Sequence, residues 1–465
     1  MKHVDPALMS ISKILIANRG EIAVRIIRAA RELGLATAQV FSEADRDMLA
    51  VKLADEAIEI GPAQATKSYL SGEAILRAAA AVGADAIHPG YGFLSENADF
   101  AASVEGAGLI FIGPGADVIR QMGDKARARE AAVAAGVPTV PGSQGRLTDF
   151  NHALALGRRI GFPLMIKPSA GGGGRGIRVA EDADALVNLL PAAAAEAKAA
   201  FGDGGLYLER FIARARHVEV QILGDGEDAI HLYERECSLQ RRRQKVWEEA
   251  PAAMLPADIR GRLCAAAVRL ARAVAYRGAG TVEYLYDDET GEFFFIEMNT
   301  RIQVEHPITE MVTGVDLVCA MIRIAAGEKL RIRQDEVPLK GHAIECRINA
   351  EDPARQFMPA PGVVTALRVP AAPGVRFDTM LYPGCVVPPF YDSLLGKLIA
   401  WDETRAAALA RLGRALGELE IGGIPTTIPL HAALVRDADV AAARFHTRWL
   451  ETWLAANPLV ETAVP

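Results

Sequence analysis

The stretch from Phe293 to His306, FFFIEMNTRIQVEH, constrains the fold of this chain more than any other. It begins as a bulky apolar run, which is typical of a buried strand, and then alternates strictly between polar and apolar side chains. Because successive side chains of an extended chain point to opposite faces, the alternation predicts five polar groups on one face of a strand. These residues are Glu297, Asn299, Arg301, Gln303 and Glu305.

Three kinds of chemistry meet on that face: carboxylates, an amide and a guanidinium. Carboxylate and amide oxygens suit Mg²⁺ or Mn²⁺, and a guanidinium suits an oxyanion. Taken alone, the same pattern also fits an edge strand with one wet face. The choice between these two interpretations depends on the rest of the chain.

Length, charge and cysteine usage bound the class of protein. At 465 residues the chain is too long for one simple core, so roughly two to four subdomains are expected. The net charge of −7 implies no general affinity for nucleic acid. No CxxC pair occurs among the cysteines, which indicates free buried thiols in a reducing cytoplasm rather than disulfides or a zinc cluster. The cysteines are Cys237, Cys264, Cys319, Cys346 and Cys385.

Membrane and export signals are not expected. No uninterrupted apolar run reaches 18 residues, the length that a membrane-spanning helix needs. The first ten residues carry Asp5 and Pro6 and lack the pattern of a signal peptide. The sequence therefore predicts a cytoplasmic protein with no membrane partner.

The chain reads as an α/β protein with three or more parts. Residues 12–41 follow a strand, helix, strand order, and strand-like runs recur near residues 86–88 and 109–113, which predicts one α/β domain over 11–115. The turn at Asn18–Glu21 lacks a glycine fingerprint, so no dinucleotide is expected there. A helical linker is predicted over 116–137, a small α/β unit over 138–211, and further strands over 212–455.

Several elements are predicted within the later parts. A hairpin joins Thr281–Tyr286 to the strand that starts at Glu292, and its turn is 287–291. Helices are predicted over 260–276, 310–327 and 404–419, and the run Pro191–Ala200 is also assigned to a helix.

A glycine-rich loop follows the predicted strand that ends at Lys167. Four glycines in a row at 171–174 are conformationally expensive, and they make sense where backbone N–H groups close on something negative. A Rossmann loop opens a helix, whereas here a second strand-like run follows. The pattern predicts a flap over a nucleotide triphosphate, flanked by Lys167 and Arg175; a mobile hairpin loop is the alternative.

Two further groups of polar residues carry a functional interpretation. The run Arg241–Lys245 holds four cations, which indicates either anion binding or a solvated face. Glu283 lies on the first strand of the predicted hairpin, opposite the strand that carries Glu297 and Asn299. Cross-strand neighbours approach within about 5 Å, so these three side chains are candidate ligands for Mg²⁺ that also holds triphosphate.

Two histidine segments favour a structural role. The segment His88–Phe93 is turn-rich, and a structural turn is preferred over the lip of a cleft. His306 precedes Pro307 and is expected to end the strand as a structural histidine rather than act in catalysis.

Together these segments resemble the biotin carboxylase family of ATP-grasp enzymes over roughly residues 11–455. The resemblance is carried by Lys167 with its glycine flap, by ECSLQRRRQK at 236–245 and by FIEMNTRIQVEHP at 295–307. Supporting segments are IANRGEIA at 16–23, HPGYGFLSEN at 88–97, MGDK at 122–125 and ECRINAE at 345–351. It implies an N-terminal Rossmann-like pre-ATP-grasp domain, an ATP-grasp lid and core, and a C-terminal biotin carboxylase domain.

The resemblance also implies a role for each matching residue. ATP contacts are implied for Lys125, Lys167, Gly173, Gly174, Glu209, Arg210, Phe211, Ile212, His217, Gln240 and Arg243. Glu283, Glu297 and Asn299 would hold Mg²⁺ or Mn²⁺ against the nucleotide. Lys245, Arg301 and the Val304 backbone would hold bicarbonate, Glu305 would take its proton, and Arg347 would stabilise the enolate of biotin.

The implied reaction begins with attack of bicarbonate on the γ-phosphate of ATP. The carboxyphosphate that forms releases CO2, which carboxylates the ureido nitrogen of biotin. Such chemistry needs positioning and charge neutralisation more than covalent help, and a closing flap would keep water from the intermediate.

Three positions depart from the family pattern. Arg243 stands where the family usually has His or sometimes Asn, and an arginine is longer and permanently charged, so altered nucleotide affinity is expected. Trp247 stands where a small aliphatic residue is common, and its consequence is left open. Pro168 removes one backbone donor at the entrance of the flap.

The resemblance also implies partners. No Met-Lys-Met motif occurs in the chain, so the biotin is expected on a separate biotin carboxyl carrier protein, with separate carboxyltransferase subunits. A homodimer is implied, with Arg28 and Glu32 on the helix that faces the partner; both also fit as solvent-facing helix charges.

Two other functions compete with biotin carboxylation. An ATP-grasp ligase for a different carboxylate is opposed by Lys245 and Arg347, and a catalytically weak regulatory subunit is opposed by the presence of Glu305. Acetyl-CoA is the expected final acceptor of the carboxyl group; propionyl-CoA, longer acyl-CoA, urea and ketone carboxylases are the alternatives.

Overall fold

The computed structural model describes residues 10–143, 145–147, 149–168, 177–201 and 203–459. Its chain forms two compact units. The first comprises the described parts of 1–137, 216–285 and 297–465, and the second those of 138–215 and 286–296.

The first unit begins with a five-stranded parallel sheet in the order β3-β2-β1-β4-β5. The side chains of Ile14, Leu15 and Ile16 are buried completely, as expected for a parallel strand that is covered on both faces. This confirms the predicted strand, helix, strand start. The elements are β1 (Lys13–Ile16), α1 (Gly20–Glu32), β2 (Ala36–Ser42), α2 (Leu49–Leu53), β3 (Glu56–Gly61), α3 (Gly72–Val82), β4 (Ala86–His88), α4 (Ala98–Gly106) and β5 (Ile110–Phe111).

The helical linker predicted over 116–137 consists of two helices, α5 (Ala116–Gly123) and α6 (Lys125–Ala134). Asp124 separates them because its carboxylate accepts hydrogen bonds from the N–H groups of Ala126 (2.9 Å) and Arg127 (3.0 Å). Aspartate is among the preferred residues at a helix N-cap.

The second unit is a three-stranded antiparallel sheet in the order β7-β6-β8, with two helices. Its elements are α7 (Phe150–Ile160), β6 (Leu164–Pro168), β7 (Arg178–Ala180), α8 (Ala183–Phe201) and β8 (Leu206–Arg210). The predicted glycine flap, with Gly173, Gly174 and Arg175, lies outside the described residues. The strands that flank it, β6 and β7, pair antiparallel.

An eight-stranded sheet dominates the rest of the first unit, in the order β13-β12-β9-β10-β11-β14-β21-β19. Its first strands and neighbouring helices are β9 (Ala215–Asp225), β10 (Ala229–Arg241), β11 (Gln244–Ala250), α9 (Ala257–Ala273), β12 (Arg277–Asp287), β13 (Glu292–Asn299), α10 (His306–Thr313), α11 (Leu317–Ala325) and β14 (His342–Asn349). The hairpin of β12 and β13 is the predicted one.

The remaining elements complete that sheet and add three two-stranded ribbons, β15-β16, β17-β20 and β18-β22. They are β15 (Glu351–Asp352), β16 (Met358–Pro359), β17 (Gly362–Val363), β18 (Ala366–Arg368), β19 (Val375–Thr379), β20 (Val386–Val387), β21 (Leu394–Asp402), α12 (Arg405–Glu418), β22 (Glu420–Gly422), α13 (Ile428–Leu434), α14 (Ala438–Ala441) and α15 (Trp449–Ala456).

Two sequence predictions in this region are wrong. The strand β13 ends at Asn299 instead of continuing to residue 305, because the N–H of Thr300 donates to the Glu96 carboxylate (3.0 Å) rather than to a neighbouring strand. The predicted helix 310–327 is two helices, α10 and α11, since Gly314 adopts a left-handed conformation (φ 71°) that ends the first. His306 consequently begins a helix and does not end a strand.

Four of the cysteines are buried free thiols, as predicted, but Cys319 is only partly buried. Across the described part of the chain, no helix is both long enough and apolar enough to span a membrane.

Gly224 in β9 provides a test of the packing between β9 and the segment that enters β12. A Cβ at this position would lie 2.2 Å from the backbone oxygen of Tyr276, and a backbone atom cannot move aside cheaply. We expect Gly224→Ala to lower the free energy of unfolding by about 1–3 kcal/mol, measured by thermal and denaturant unfolding.

Gly261 is the matched control for that variant. It lies in α9, is exposed, and a Cβ there would meet no atom within 4 Å. Gly261→Ala should therefore raise stability by about 0.5–1 kcal/mol, the helix-propensity difference. Equal effects of the two substitutions would contradict this description of the packing.

Candidate active site

A largely buried lysine, whose side chain is 12% exposed, lies at the centre of the charged residues. The Nζ atom of Lys245, on β11, is 2.6 Å from Glu219 Oε2, 3.0 Å from Glu283 Oε1 and 2.6 Å from Glu305 Oε1. Burial favours the neutral amine, but the three carboxylates outweigh it and hold the pKa of Lys245 well above its usual range. Lys245 is therefore a fixed positive charge.

Glu305, immediately before α10, is held between two cations. Its second oxygen, Oε2, accepts a hydrogen bond from Nη2 of Arg347 at 3.0 Å. Burial alone would raise the pKa of Glu305, but Lys245, Arg347 and Arg235 together lower it well below the usual range. The carboxylate is thus ionised at neutral pH, which is the state that a general base requires.

Arg347, on β14, links Glu305 to a second carboxylate. Its Nε atom donates to Oε1 of Glu248 on β11 at 2.6 Å. Glu248 lies directly opposite Glu345 in the antiparallel pair of β11 and β14, and both are buried. Burial raises the pKa of Glu248 to about 7, although Arg347 opposes it, and burial raises the pKa of Glu345 well above its usual value.

The three predicted metal ligands lie close together where β12 and β13 pair. The Nδ2 atom of Asn299 is 2.9 Å from Glu283 Oε1, and Asn299 Oδ1 accepts from Nη2 of Arg301 at 2.9 Å. Burial raises the pKa of Glu297, and the charge of Glu283 raises it further. A divalent cation would relieve that repulsion between two carboxylates, and the oxygen donors suit Mg²⁺ or Mn²⁺. The residues present fit such an ion.

His217 lies beside the Glu283 carboxylate, and Gln240 contacts the other nitrogen of its ring. His217 Nε2 lies 3.1 Å from Glu283 Oε2, and its Nδ1 lies 2.8 Å from the amide nitrogen of Gln240. Burial raises the pKa of Glu283, but the charge of Lys245 and the contact with His217 outweigh it and hold the pKa well below its usual range.

The segment 300–305 is a turn stabilised by polar contacts. Arg301 donates from Nε to Glu96 Oε2 at 2.8 Å, and Gln303 donates to Glu283 Oε1 at 2.9 Å. The carbonyl oxygen of Val304 accepts from Nζ of Lys397 at 2.8 Å. The predicted arrangement of these polar residues along one strand face is wrong, because residues 300–305 form a turn in which Arg301 and Gln303 bind Glu96 and Glu283.

Sequence reasoning missed four residues of this cluster: Glu219, Glu248, Lys397 and Glu21, whose carboxylate lies 3.2 Å from the Lys397 ammonium. Lys397 is completely buried in the apolar strand LLGKLIA of β21. A single cation inside an apolar strand is itself a signal, because a buried charge requires a partner.

The second unit carries the predicted ATP residues Lys167, Glu209, Arg210, Phe211 and Ile212. Lys167 on β6 forms an ion pair with Glu209 on the adjacent β8. Arg210 pairs with Glu292 at 2.7 Å, and the N–H of Phe211 donates to the carbonyl of Pro163 at 2.9 Å.

Two predicted ATP residues of the first unit stand apart from the buried cluster. Lys125 is exposed at the first position of α6. Arg243 is exposed in the turn between β10 and β11, where Arg242 and Arg243 have φ angles of 49° and 67°. Two successive positive φ angles are typical of a tight hairpin turn.

These features define a class of enzyme. The chain combines a parallel N-terminal sheet, a small antiparallel unit with a Lys–Glu pair, and a large sheet that carries oxygen ligands for a divalent cation beside cations for an oxyanion. This combination is that of an ATP-grasp ligase, which transfers a phosphoryl group to a carboxylate-like acceptor.

Family models match nearly the whole chain. They are "Biotin carboxylase, N-terminal domain" over residues 10–119, "Carbamoyl-phosphate synthase L chain, ATP binding domain" over 124–333 and "Biotin carboxylase C-terminal domain" over 345–452. The chain belongs to the biotin carboxylase family.

Individual relatives agree with that assignment. The chain is 55% identical to the biotin carboxylase of Pseudomonas aeruginosa over 449 residues, which cover 96% of this chain and 99% of the relative. It matches the biotin carboxylase domain dimer of the Hydrogenobacter thermophilus 2-oxoglutarate carboxylase, in complex with MgADP, ADP and bicarbonate, with a TM-score of 0.87 and 47% identity over 97% and 99% of the two chains. For the biotin carboxylase subunit of pyruvate carboxylase, the TM-score is 0.89 and the identity 48%, over 97% and 100%.

The raised pKa of Glu248 predicts a measurable pH dependence of stability. An unfolded chain has a glutamate pKa of about 4.3, so between that pH and about 7 the folded protein holds a proton that the unfolded chain has released. The stability due to this proton is complete below about pH 4 and is lost as the pH rises through 7.

Glu248→Gln removes that titration. We expect the stability of the variant, relative to the parent, to improve by about 1 kcal/mol between pH 6 and pH 8, measured by denaturant unfolding at both pH values. A difference between the two proteins that does not change with pH would contradict a pKa near 7 for Glu248.

Proposed function

We propose that this enzyme uses ATP and bicarbonate to carboxylate biotin on a separate carrier protein, as the first half-reaction of an acyl-CoA carboxylase. The observation that supports it most is the set of Lys245, Glu305 and Arg347, which combines a buried, ionised base with two partly buried cations. A base for bicarbonate and a cation for an enolate are the groups that this reaction needs.

The protein's own residues divide the work as follows. Lys245, Arg301 and the Val304 backbone bind bicarbonate, and Glu305 takes its proton as an oxygen of bicarbonate attacks the γ-phosphorus and ADP leaves. Glu283, Glu297 and Asn299 would hold the Mg²⁺ or Mn²⁺ that neutralises charge on the transferred phosphoryl group. The ATP contacts of Lys125, Lys167, the flap glycines, the segment from Glu209 to Ile212, His217 and Gln240 stay predictions.

Protonation of Glu305 has a consequence for Arg347. The guanidinium donates from Nη2 to Glu305 and from Nε to Glu248, so the Nη2 donor is held by Glu305 while that carboxylate is ionised. Once Glu305 carries the proton of bicarbonate, its attraction for Nη2 of Arg347 falls. That donor then becomes available to the enolate oxygen of biotin, which orders the two halves of the reaction.

The proposed acceptor is acetyl-CoA, the acceptor expected from the family resemblance, and the 55% identity to the biotin carboxylase of Pseudomonas aeruginosa supports the family assignment on which it rests. A keto-acid carboxylase is the second candidate. The biotin carboxylase units of 2-oxoglutarate carboxylase and pyruvate carboxylase are similar to this chain over almost its whole length.

The proposed partners are a biotin carboxyl carrier protein, carboxyltransferase subunits and a second copy of the chain. A homodimer is supported by the dimer of the Hydrogenobacter thermophilus domain. Arg28 and Glu32 are exposed on α1 of the isolated chain, which is the condition for residues that contact a second copy.

The function is tested by ADP release from Mg-ATP by the purified chain. Strong stimulation by free biotin that disappears without bicarbonate supports the proposal. ADP release that is indifferent to both would favour a different ATP-grasp ligase, and no bicarbonate-dependent turnover at all would favour a regulatory subunit.

Glu305→Gln tests the base. The amide keeps the size of the side chain but cannot accept the proton of bicarbonate, so we expect kcat for bicarbonate-dependent ADP release to fall about 10²–10⁴-fold. The Kd for ADP, measured by calorimetry, should change little. A kcat within about threefold of the parent would contradict the role of Glu305.

Arg243→His tests the nucleotide hypothesis. The side chain of Arg243 is exposed, so the substitution should disturb little of the packed interior. We expect the KM for ATP to change severalfold with kcat nearly constant, because histidine is shorter and mostly neutral at pH 7.5. An unchanged KM for ATP would count against the hypothesis.

A further inference from the structure

The strands β11 and β14 separate at the active site. They are paired from Ala250 opposite Ala343 to Trp247 opposite Cys346. Beyond that point Lys245 pairs only with Gln240 of β10, while Arg347 pairs with Lys397 of β21. The two catalytic cations therefore lie on the separated ends of two strands, and a cavity of about 30 Å³ lies between them.

Beyond Cys346, the backbone N–H and C=O groups of β14 have no partner on β11 among the described residues, and residues at the start of α13 form hydrogen bonds with them instead. The hydroxyl of Thr427 donates to the Arg347 carbonyl at 2.9 Å and accepts from the Asn349 N–H at 2.9 Å. The N–H of Thr427 donates to the Asn349 carbonyl at 3.1 Å. One residue thus replaces three hydrogen bonds of a strand, and an unsatisfied buried backbone group would be costly.

His431, one turn further along α13, binds the same carbonyl. Its Nε2 atom is 2.8 Å from the Arg347 oxygen. Because a carbonyl only accepts hydrogen bonds, Nε2 carries the proton. Burial lowers the pKa of His431 to about 4, so the ring is neutral at physiological pH. The carbonyl of Arg347 consequently accepts two side-chain hydrogen bonds.

Trp247 packs beside this histidine. The two ring centroids are 6.4 Å apart with an interplanar angle of 33°, and both side chains are buried. Trp247 is the residue that stands where the family commonly has a small aliphatic one. Its ring fills the space beside His431 and thereby restricts the orientation of the His431 ring. Trp247, the last residue of β11 that pairs with β14, is thereby in contact with His431 of α13.

We propose that Thr427 and His431 are positioning residues, which set the place of the Arg347 guanidinium by fixing its backbone at the point where β11 and β14 separate. The inference rests on the proposed role of Arg347 toward biotin. It assigns to α13 a part chiefly in the second half of the reaction, because Thr427 and His431 bind the Arg347 carbonyl and no hydrogen bond or ion pair joins them to Lys245 or Glu305 among the described residues.

The test compares paired variants of the full chain. Thr427→Val and His431→Leu remove the donors and keep the approximate size, whereas Thr427→Ser and His431→Gln retain a donor. We expect the first pair to lower kcat/KM for free biotin by about 10-fold or more, because small misplacements of catalytic groups have effects of that order. Bicarbonate-dependent ADP release without biotin should stay within about twofold, and the second pair should recover activity toward biotin.

Proportional loss of both activities, or equal impairment of the retaining variants, would overturn the proposal and indicate a purely structural role. Thermal unfolding of each variant accompanies the kinetics, and since Thr427 and His431 are tested separately, poor folding of one still leaves the other decisive.

Arg347→Lys separates the two hypotheses. If it leaves kcat/KM for biotin unchanged, the proposed role of Arg347 fails and the positioning role falls with it. If it impairs biotin carboxylation while Thr427→Val and His431→Leu do not, only the positioning role is overturned.

Discussion

The buried ammonium of Lys245 is the interaction on which this site depends. Three carboxylates, from β9, β12 and the start of α10, lie within 3.0 Å of it. All three are buried, so water cannot take the place of the lysine as their partner. Burial of several like charges is unfavourable unless cations and hydrogen bonds compensate. The site meets this condition by alternating charge across the sheet, in the order Arg235, Glu219, Lys245, Glu305, Arg347 and Glu248. Five elements are thereby held in register by one continuous set of ion pairs.

The same alternation makes the site responsive to a single proton. Uptake of a proton by Glu305 weakens its hold on Lys245 and on Arg347 at once, so acceptance of the bicarbonate proton changes the availability of both cations. Burial raises the pKa of Glu248 although it pairs with Arg347, and burial raises the pKa of Glu345, whose carboxylate oxygens accept no hydrogen bond within the described structure. The side chain of Arg347 pairs with both Glu305, whose pKa is lowered, and Glu248, whose pKa is raised. Its backbone carbonyl accepts hydrogen bonds from Thr427 and His431. In the proposed reaction, the chemistry of biotin thus depends on Arg347, a residue that three separate parts of the first unit constrain.

Local patterns predicted the parts of this structure that depend on local interactions. The β12–β13 hairpin, the first strand–helix–strand unit and the proximity of Glu283 to Asn299 follow from apolar periodicity and a turn sequence. Glu219, Glu248 and Lys397 escaped prediction because their partners are set by the order of strands in the sheet, which periodicity does not encode. The extended segment predicted to residue 305 was wrong for a related reason: its polar side chains find partners in Glu283 and Glu96, and those tertiary contacts favour a turn. The resemblance to a family supplied roles that the residues alone left open.

The coupling between Lys245 and Glu305 tests the central claim most directly. A double-mutant cycle of Lys245→Met, Glu305→Gln and the combined variant gives their interaction energy from denaturant unfolding at pH 7.5. If the ion pair is an essential part of the buried alternation, the coupling should be at least about 2 kcal/mol, because breaking one partner leaves an uncompensated buried charge. Additive effects within about 0.5 kcal/mol would contradict the account, since the two charges would then contribute independently to stability.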